Sequence, residues 1–453
     1  IIAAVLSFPA NIAAAEKSER PNIVFVLVDD LRWDALGCTG HSLAKTPHID
    51  RLAKEGALFK NFFVTHPLCS PARASFLTGQ HSRTHGVTNN SQEHSQLSHK
   101  LVTFPRLLRD AGYHTAFVGK WHMGVDPSPR PGFDHWIGLP GQGLFNNPKI
   151  NINGTNTVLE GYVTDILNER AVEFVKQKRD KPFMLYLSHK AVHGPFTPAK
   201  RHEHLFADAT LEPWPALKDT LEGKPAITRE IPGEATRKKI NPQATVQNGV
   251  NREPPMSLVR AQLQCMVSID EGVGMIYDAL KQSIQLDNTV FVFTSDNGFF
   301  WREHGLGDKR WAYEEAIRVP LVIRYPKWIK PGRTPDELTL NIDVAPTFLE
   351  LGNAPVPASM QGKSMAPLLQ GKKTEWRSAA FFEYFQEKQY PRMPTWNAVR
   401  TDRWKYIHYP DLADSDELYD LKNDPHELRN LKTDPKAQKE LNDLKQQLAQ
   451  LKP

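Results

Sequence analysis

From Ile23 to Val28 the chain is apolar without alternation, Ile-Val-Phe-Val-Leu-Val, and the run stops at Asp29-Asp30. A strand covered on one face alternates polar and apolar residues. An unbroken β-branched run predicts a strand covered on both faces, as in a parallel sheet between two layers of helices. Residues 115–118, 183–188, 289–294 and 320–325 read the same way, and helical spacing of apolar positions marks 48–56, 103–111, 162–178 and 257–282. Strands alternating with helices predict an α/β fold with a central, mostly parallel sheet flanked by helices. After residue 352 the texture changes. Asn353-Ala-Pro-Val-Pro-Ala reads as a linker, 381–385, 398–401 and 404–408 as short antiparallel strands, and 435–451 as a charged amphipathic helix. The expected division is therefore a catalytic domain over 21–352 and a smaller C-terminal α+β domain over 353–453. Residues 206–256, rich in Pro, Lys, Glu and Gly, carry little periodicity and read as a surface excursion forming part of a substrate wall.

Composition narrows the class without naming it. The chain has 453 residues, 40% hydrophobic and 24% charged, with a net charge of +5 from 56 basic and 51 acidic residues. That length suits one large domain with a smaller one, and the charge is too weak and too dispersed for nucleic-acid binding. Residues 1–15 are short, apolar and end in Ala-Ala-Ala, the pattern of a secretory signal cleaved near Ala15. A secreted or periplasmic location follows. No later run approaches the roughly 18 apolar residues of a membrane span. An exported chain with three cysteines, Cys38, Cys69 and Cys265, keeps at least one unpaired thiol whose chemistry needs an account.

Ligands of open α/β sheets collect beyond the carboxyl ends of the strands. Asp29-Asp30, Gly119-Lys120, His189 to His193 and Asp296-Asn297 each follow a predicted strand, so these polar clusters should meet at one sheet edge. Asp29, Asp30, Asp296 and Asn297 form an all-oxygen set that suits a hard cation, Ca²⁺ more readily than Mg²⁺. Either cluster alone reads equally well as a helix cap or a turn. Cys69, before a proline, reads alone as a buried thiol or as a cysteine nucleophile served by a histidine base.

The segment Cys69-Ser70-Pro71-Ala72-Arg73, followed by Leu77-Thr78-Gly79, resembles the signature of the type I, formylglycine-dependent sulfatases of the alkaline-phosphatase-like superfamily. Ala72 stands where many members have Ser. The likeness extends through Glu303-His304-Gly305-Leu306-Gly307-Asp308-Lys309-Arg310, Thr401-Asp402-Arg403-Trp404 and Glu417-Leu418-Tyr419-Asp420, covering roughly residues 21–432. It implies that a maturation enzyme oxidises Cys69 to formylglycine. One hydroxyl of the hydrated aldehyde then attacks sulfur, and the other later helps expel sulfate. It also implies one Ca²⁺ per chain on Asp29, Asp30, residue 69, Asp296 and Asn297, with Arg73 beside the nucleophile. Lys120 and Lys309 would hold the sulfate, His122 the formylglycine hydroxyl, and His193 the leaving oxygen; His189 reads as structural.

Substrate identity is read from smaller likenesses. The block around Asp308-Lys309-Arg310 and the segment Gly141-Gln142-Gly143…Asn153-Gly154 look most like the N-acetylglucosamine-6-sulfatase and mucin-desulfating branch. A 6-O-sulfated glycan is the expected substrate, with Tyr384, Trp396 and Arg400 as candidate sugar contacts; for these three, ordinary core and rim packing is an equal reading. Two other functions stay open: a phosphonate monoester hydrolase or phosphodiesterase of the same superfamily, and a non-catalytic glycan-binding protein.

Overall fold

The computed structural model describes residues 20–231 and 253–453. The expected signal at 1–15, and the part of the 206–256 excursion at 232–252, lie outside the described residues. The main sheet has nine strands: β1 (Asn22–Val28), β2 (Ala57–Phe59), β3 (His114–Lys120), β4 (His135–Leu139), β5 (Lys149–Ile152), β6 (Thr155–Val158), β7 (Phe183–Ser188), β8 (Thr289–Ser295) and β9 (Leu321–Arg324). Their spatial order is β2-β9-β8-β1-β7-β3-β4-β5-β6. The five central strands, β8-β1-β7-β3-β4, are parallel, whereas β9 runs antiparallel to β8 and to β2, and β5 and β6 pair antiparallel beyond β4. Short antiparallel strands at the margins of a parallel sheet are common, because edges need no covered crossover.

Strand β1 shows why an unbroken apolar run marks the centre. Val24, Val26 and Val28 point into one core, with Leu167 of helix α3 (Val163–Lys176) and Ile269 and Val273 of helix α4 (Met256–Gln282). Ile23, Phe25 and Leu27 point into the opposite core, with Phe76, Phe104 and Phe348. Successive residues of a strand face opposite sides, so a strand buried twice has no polar position to spend. Each such side chain contributes about 1.5–3 kcal/mol on burial.

A second sheet is antiparallel, in the order β10 (Ala379–Tyr384), β11 (Trp396–Thr401), β12 (Trp404–His408) and β13 (Glu417–Asp420). One face packs Phe381, Val399, Tyr406 and Leu418 against Leu441, Leu444 and Leu448 of the C-terminal helix α5 (Gln438–Leu451). The other face packs Phe382, Trp396 and Ile407 against Phe63, Trp311, Tyr313 and Ile317, residues before 352. No helix among the described residues is long and apolar enough to cross a membrane.

Candidate active site

The carboxyl ends of β1, β3, β7 and β8 do meet at one edge, and helix α2 (Cys69–Thr78) starts there. Leu68 is extended at φ −155° and ψ 138°, and Cys69 is the first helical residue. Pro71 falls in the first turn, where its missing N–H has no helical partner to lose. All ten residues of this helix are buried, and it ends at Gly79 with φ +66°, a left-handed stop that glycine adopts without strain. Cys69 is therefore at a helix N-terminus, buried, with its Sγ 3.4 Å from Asp29 Oδ1.

Arg73, one turn further on, ties the strand ends together. Its Nε donates to Asp296 Oδ2 at 2.8 Å, Nη2 to Asp29 Oδ2 at 3.1 Å, and Nη1 to Lys120 O at 2.6 Å and Ser188 Oγ at 2.7 Å. Lys120 Nζ donates to Asp29 Oδ2, and Lys309 Nζ to Asp30 Oδ1. Asn297 Nδ2 donates to Asp30 Oδ1 at 2.7 Å. Three buried carboxylates thus face three buried cations.

These charges set the protonation states. Burial pushes the Asp29 carboxyl up, but Lys120, His193, Arg73 and Lys309 outweigh it and hold it well below the usual carboxylate range. Asp30 is pushed up to about 7 by burial and by Asp29 and Asp296, against the pull of Lys309. Burial and the charge of Asp29 push the Cys69 thiol up. A thiol, unlike a thiolate, is a poor nucleophile, so residue 69 as an unmodified cysteine is badly placed to attack anything.

The same residues fit a hard divalent cation. Single ligand atoms from Asp29, Asp30, Cys69 and Asp296 all lie within 4.8 Å of one another. Asn297 Oδ1 is buried beside them with no hydrogen-bond partner among the described residues. A buried carbonyl oxygen without a donor costs about 1–3 kcal/mol, a cost that cation coordination removes.

Both expected histidines are near. His193 Nε2 is 3.8 Å from Asp30 Oδ2, and its Nδ1 is 2.9 Å from Gly194 O. A carbonyl only accepts, so Nδ1 carries the proton and Nε2 faces the site. His122 is held at φ +56°, its carbonyl accepting from Ser70 Oγ; burial, with Lys120 next, lowers its pKa well below the ordinary value. His189 is buried with neither ring nitrogen bonded among the described residues, and burial lowers it to about 3.

The candidate sugar contacts are not brought to the cleft. Tyr384 and Trp396 are 0% exposed and Arg400 is 5% exposed. Tyr384 Oη donates to Glu387 at 3.0 Å, Trp396 Nε1 to Arg310 O at 2.7 Å, and Arg400 Nε to Glu314 at 3.1 Å. Their polar ends are spent on protein partners between the second sheet and the Lys309 loop, which corrects the reading of them as substrate contacts. Two site residues escaped the sequence reading. Ser188 accepts from Arg73, and Gln142 Oε1 lies 2.5 Å from Lys120 Nζ. Position after a strand was the available signal, since Ser188 ends β7 and Gln142 follows β4.

Comparison with known proteins places this geometry. A family model described as Sulfatase matches residues 21–354, and one described as N-sulphoglucosamine sulphohydrolase, C-terminal, matches 302–453. An N-acetylglucosamine-6-O-sulfatase of Bacteroides thetaiotaomicron is 35% identical over 487 residues, spanning 95% of this chain and 86% of that protein. The goat (Capra hircus) N-acetylglucosamine-6-sulfatase is 30% identical, spanning 92% of this chain and 81% of its own length. A solved protein bound to its substrate, D-glucosamine-2-N,6-O-disulfate, superposes with a TM-score of 0.84 at 33% identity, covering 95% of this chain and 97% of the other.

Proposed function

We propose, since this chain belongs to the sulfatase family and is a sulfuric ester hydrolase, that it removes the 6-O-sulfate of N-acetylglucosamine or a related glycan unit, using formylglycine at position 69 and a bound Ca²⁺. The observation that carries this is the placement of Cys69: buried at a helix start, within reach of Asp29, and among Arg73, Lys120 and Lys309. The substrate class is supported by relatives named for N-acetylglucosamine 6-sulfate and by the disulfated glucosamine bound to the similar solved protein.

Asp29, Asp30, Asp296, Asn297 and residue 69 would hold the cation, which when bound would supply Lewis-acid chemistry. The chain's own residues do the rest. Residue 69 supplies the attacking oxygen. Lys120 and Lys309 hold the sulfate, and Arg73 fixes the carboxylates of Asp29 and Asp296 beside residue 69. Fixed cations aimed at a developing negative charge are worth on the order of 3 kcal/mol each. His122 holds the hydroxyl of residue 69. His193, with Nδ1–H committed to Gly194 O, presents Nε2 to the leaving sugar oxygen; it acts there as imidazolium, giving its Nε2 proton to that oxygen and keeping the Nδ1 proton as the neutral ring.

Release of inorganic sulfate from N-acetylglucosamine-6-sulfate by protein co-expressed with a formylglycine-generating enzyme tests the reading. Intact mass should fall by about 18 Da on conversion of Cys69, a covalent change independent of turnover. Faster hydrolysis of a phosphonate monoester than of the sulfate ester with the same leaving group would overturn the substrate class.

A further inference from the structure

Strand β4 ends at Leu139, and the chain turns through Pro140-Gly141-Gln142-Gly143, closed by Gly143 N–H donating to Pro140 O at 2.9 Å. Gly141 at φ +49° and Gly143 at φ +67° take left-handed backbone, which glycine reaches without steric cost. A Cβ on Gly143 would also meet Leu139 Cδ1 at 3.0 Å. Of the two central residues of this turn, only Gln142 carries a side chain, and its Oε1 lies 2.5 Å from Lys120 Nζ.

That contact fixes both ends of the carboxamide. An ammonium has three donors and no acceptor, so Gln142 must turn its oxygen to Lys120. Its Nε2, with two N–H donors, is then turned away from Lys120 and has no hydrogen bond to any described residue. The side chain is half-buried at the site that Lys120 and Asp29 define. A carboxylate in the same place would neutralise the ammonium and repel an anion. An amide holds the ammonium without adding charge, and leaves a donor over.

We propose that Gln142 is a substrate-contacting residue: its carbonyl holds Lys120 while its amide N–H donates to an oxygen of the bound sulfate ester. This rests on the sulfatase reading of the Lys120 site given above. One residue thus positions a cation and supplies a neutral donor to the same anion, setting affinity for the ester more than the chemical step.

The test uses mature, calcium-loaded enzyme and its Q142A and Q142E variants, with inorganic sulfate as the probe in calorimetric titration. Q142A should weaken sulfate binding about tenfold, the scale of one lost hydrogen bond to a charged group. Its KM for N-acetylglucosamine-6-sulfate should rise by a similar factor, with kcat within about threefold, as expected when ground-state and transition-state binding fall together. Q142E keeps an acceptor for Lys120, loses the donor and adds a negative charge, so it should bind sulfate more weakly than Q142A. Wild-type sulfate affinity in Q142A overturns the proposal. So does tighter binding by Q142E than by Q142A, which is the outcome if the side chain only braces Lys120. A wild-type enzyme that turns over the ester while its variants behave this way removes Gln142 alone. A wild type that neither binds nor releases sulfate removes the sulfatase substrate reading and this contact with it.

Discussion

The guanidinium of Arg73 has five N–H donors in a fixed plane, and its acceptors here come from the ends of four strands: Asp29, Lys120 O, Ser188 and Asp296. No other side chain reproduces that fork. Lysine offers a point charge and cannot reach four separated acceptors at once. Arg73→Lys should therefore lower stability by about 3 kcal/mol or more, because it keeps the charge but leaves buried acceptors among these without a donor, at about 1–3 kcal/mol each. Urea unfolding measures this without reference to catalysis, and a loss below 1 kcal/mol would show that the strand ends do not depend on it. Cys69→Ala makes the complementary case. It removes the proposed nucleophile while sparing every one of these hydrogen bonds, so turnover should vanish with the unfolding midpoint nearly unchanged. The carboxylates themselves predict a response to chelation. Asp29, Asp30 and Asp296 are buried together, with Asp30 pushed up to about 7 by burial and by its two neighbours. The proposed divalent cation would relieve that repulsion and bind the folded chain alone. EDTA should lower Tm and sulfate release in the same sample, and added Ca²⁺ should restore both.

The loop that carries Lys309 is not held by its own backbone. Arg302, His304, Asp308 and Arg310 all have positive φ, at 71°, 53°, 64° and 86°. Each such non-glycine residue costs on the order of 1 kcal/mol or more and persists when its surroundings over-determine it. The surroundings are visible. Arg32 Nη1 pairs with Glu303 at 2.7 Å, Asp219 Oδ2 lies 2.5 Å from His304 Nδ1, and Arg310 Nε pairs with Glu387 at 2.7 Å. Asp219 comes from the irregular stretch that composition marked as a surface excursion, so part of that stretch is an anchor for the loop. Burial pushes the Asp219 carboxyl up, but the hydrogen bond and charge of His304, with Lys224, outweigh it and bring it to about 2. A carboxyl lowered from its usual value near 4 stabilises the fold fully above that value and loses its contribution as pH falls through the folded one. The stability difference between wild type and Asp219→Asn should hence be larger at about pH 5 than at about pH 3, shrinking as pH falls below about 4. Urea midpoints across that range measure it, and a difference that persists undiminished at pH 2.5 removes the linkage. None of this was legible in the sequence, because the strained residues and their partners lie far apart along the chain. Asp29, Asp30, Asp296 and Asn297 were legible for the opposite reason: each pair stands at the end of a strand-forming run that marks the sheet edge.

At the scale of the whole molecule, the second sheet packs on the segment that carries Lys309. The two family matches overlap over 302–354, the stretch that holds Lys309, and packing crosses that stretch in the same way. Trp396, Phe382 and Ile407 of the second sheet share a core with Trp311, Tyr313 and Ile317. Composition predicted two sheets but could not show this interlock, since an apolar strand residue does not declare which partner will cover it. That is also why Tyr384, Trp396 and Arg400 read as sugar contacts; aromatic and cationic side chains suit a glycan cleft and a packed seam equally. Lys405 concentrates the consequence. It is 0% exposed, and its ammonium meets Ala312 O at 3.0 Å, Glu314 at 2.9 Å and Glu427 at 2.8 Å. Glu427 is pushed up to about 7 by burial, against the pull of Lys405, with Glu314 adding to the rise. Lys405→Met preserves the stem of the side chain and removes the charge, leaving two buried carboxyls facing each other. It should destabilise by about 3–5 kcal/mol, although Lys405 lies outside the cleft. If the seam also positions the Lys309 loop, the surviving folded enzyme at low temperature should show a raised KM for N-acetylglucosamine-6-sulfate. A destabilised variant with wild-type KM would confine the second sheet to stability. A raised KM together with the stability loss would make it part of the anion site's architecture, reaching Lys309 through Ala312.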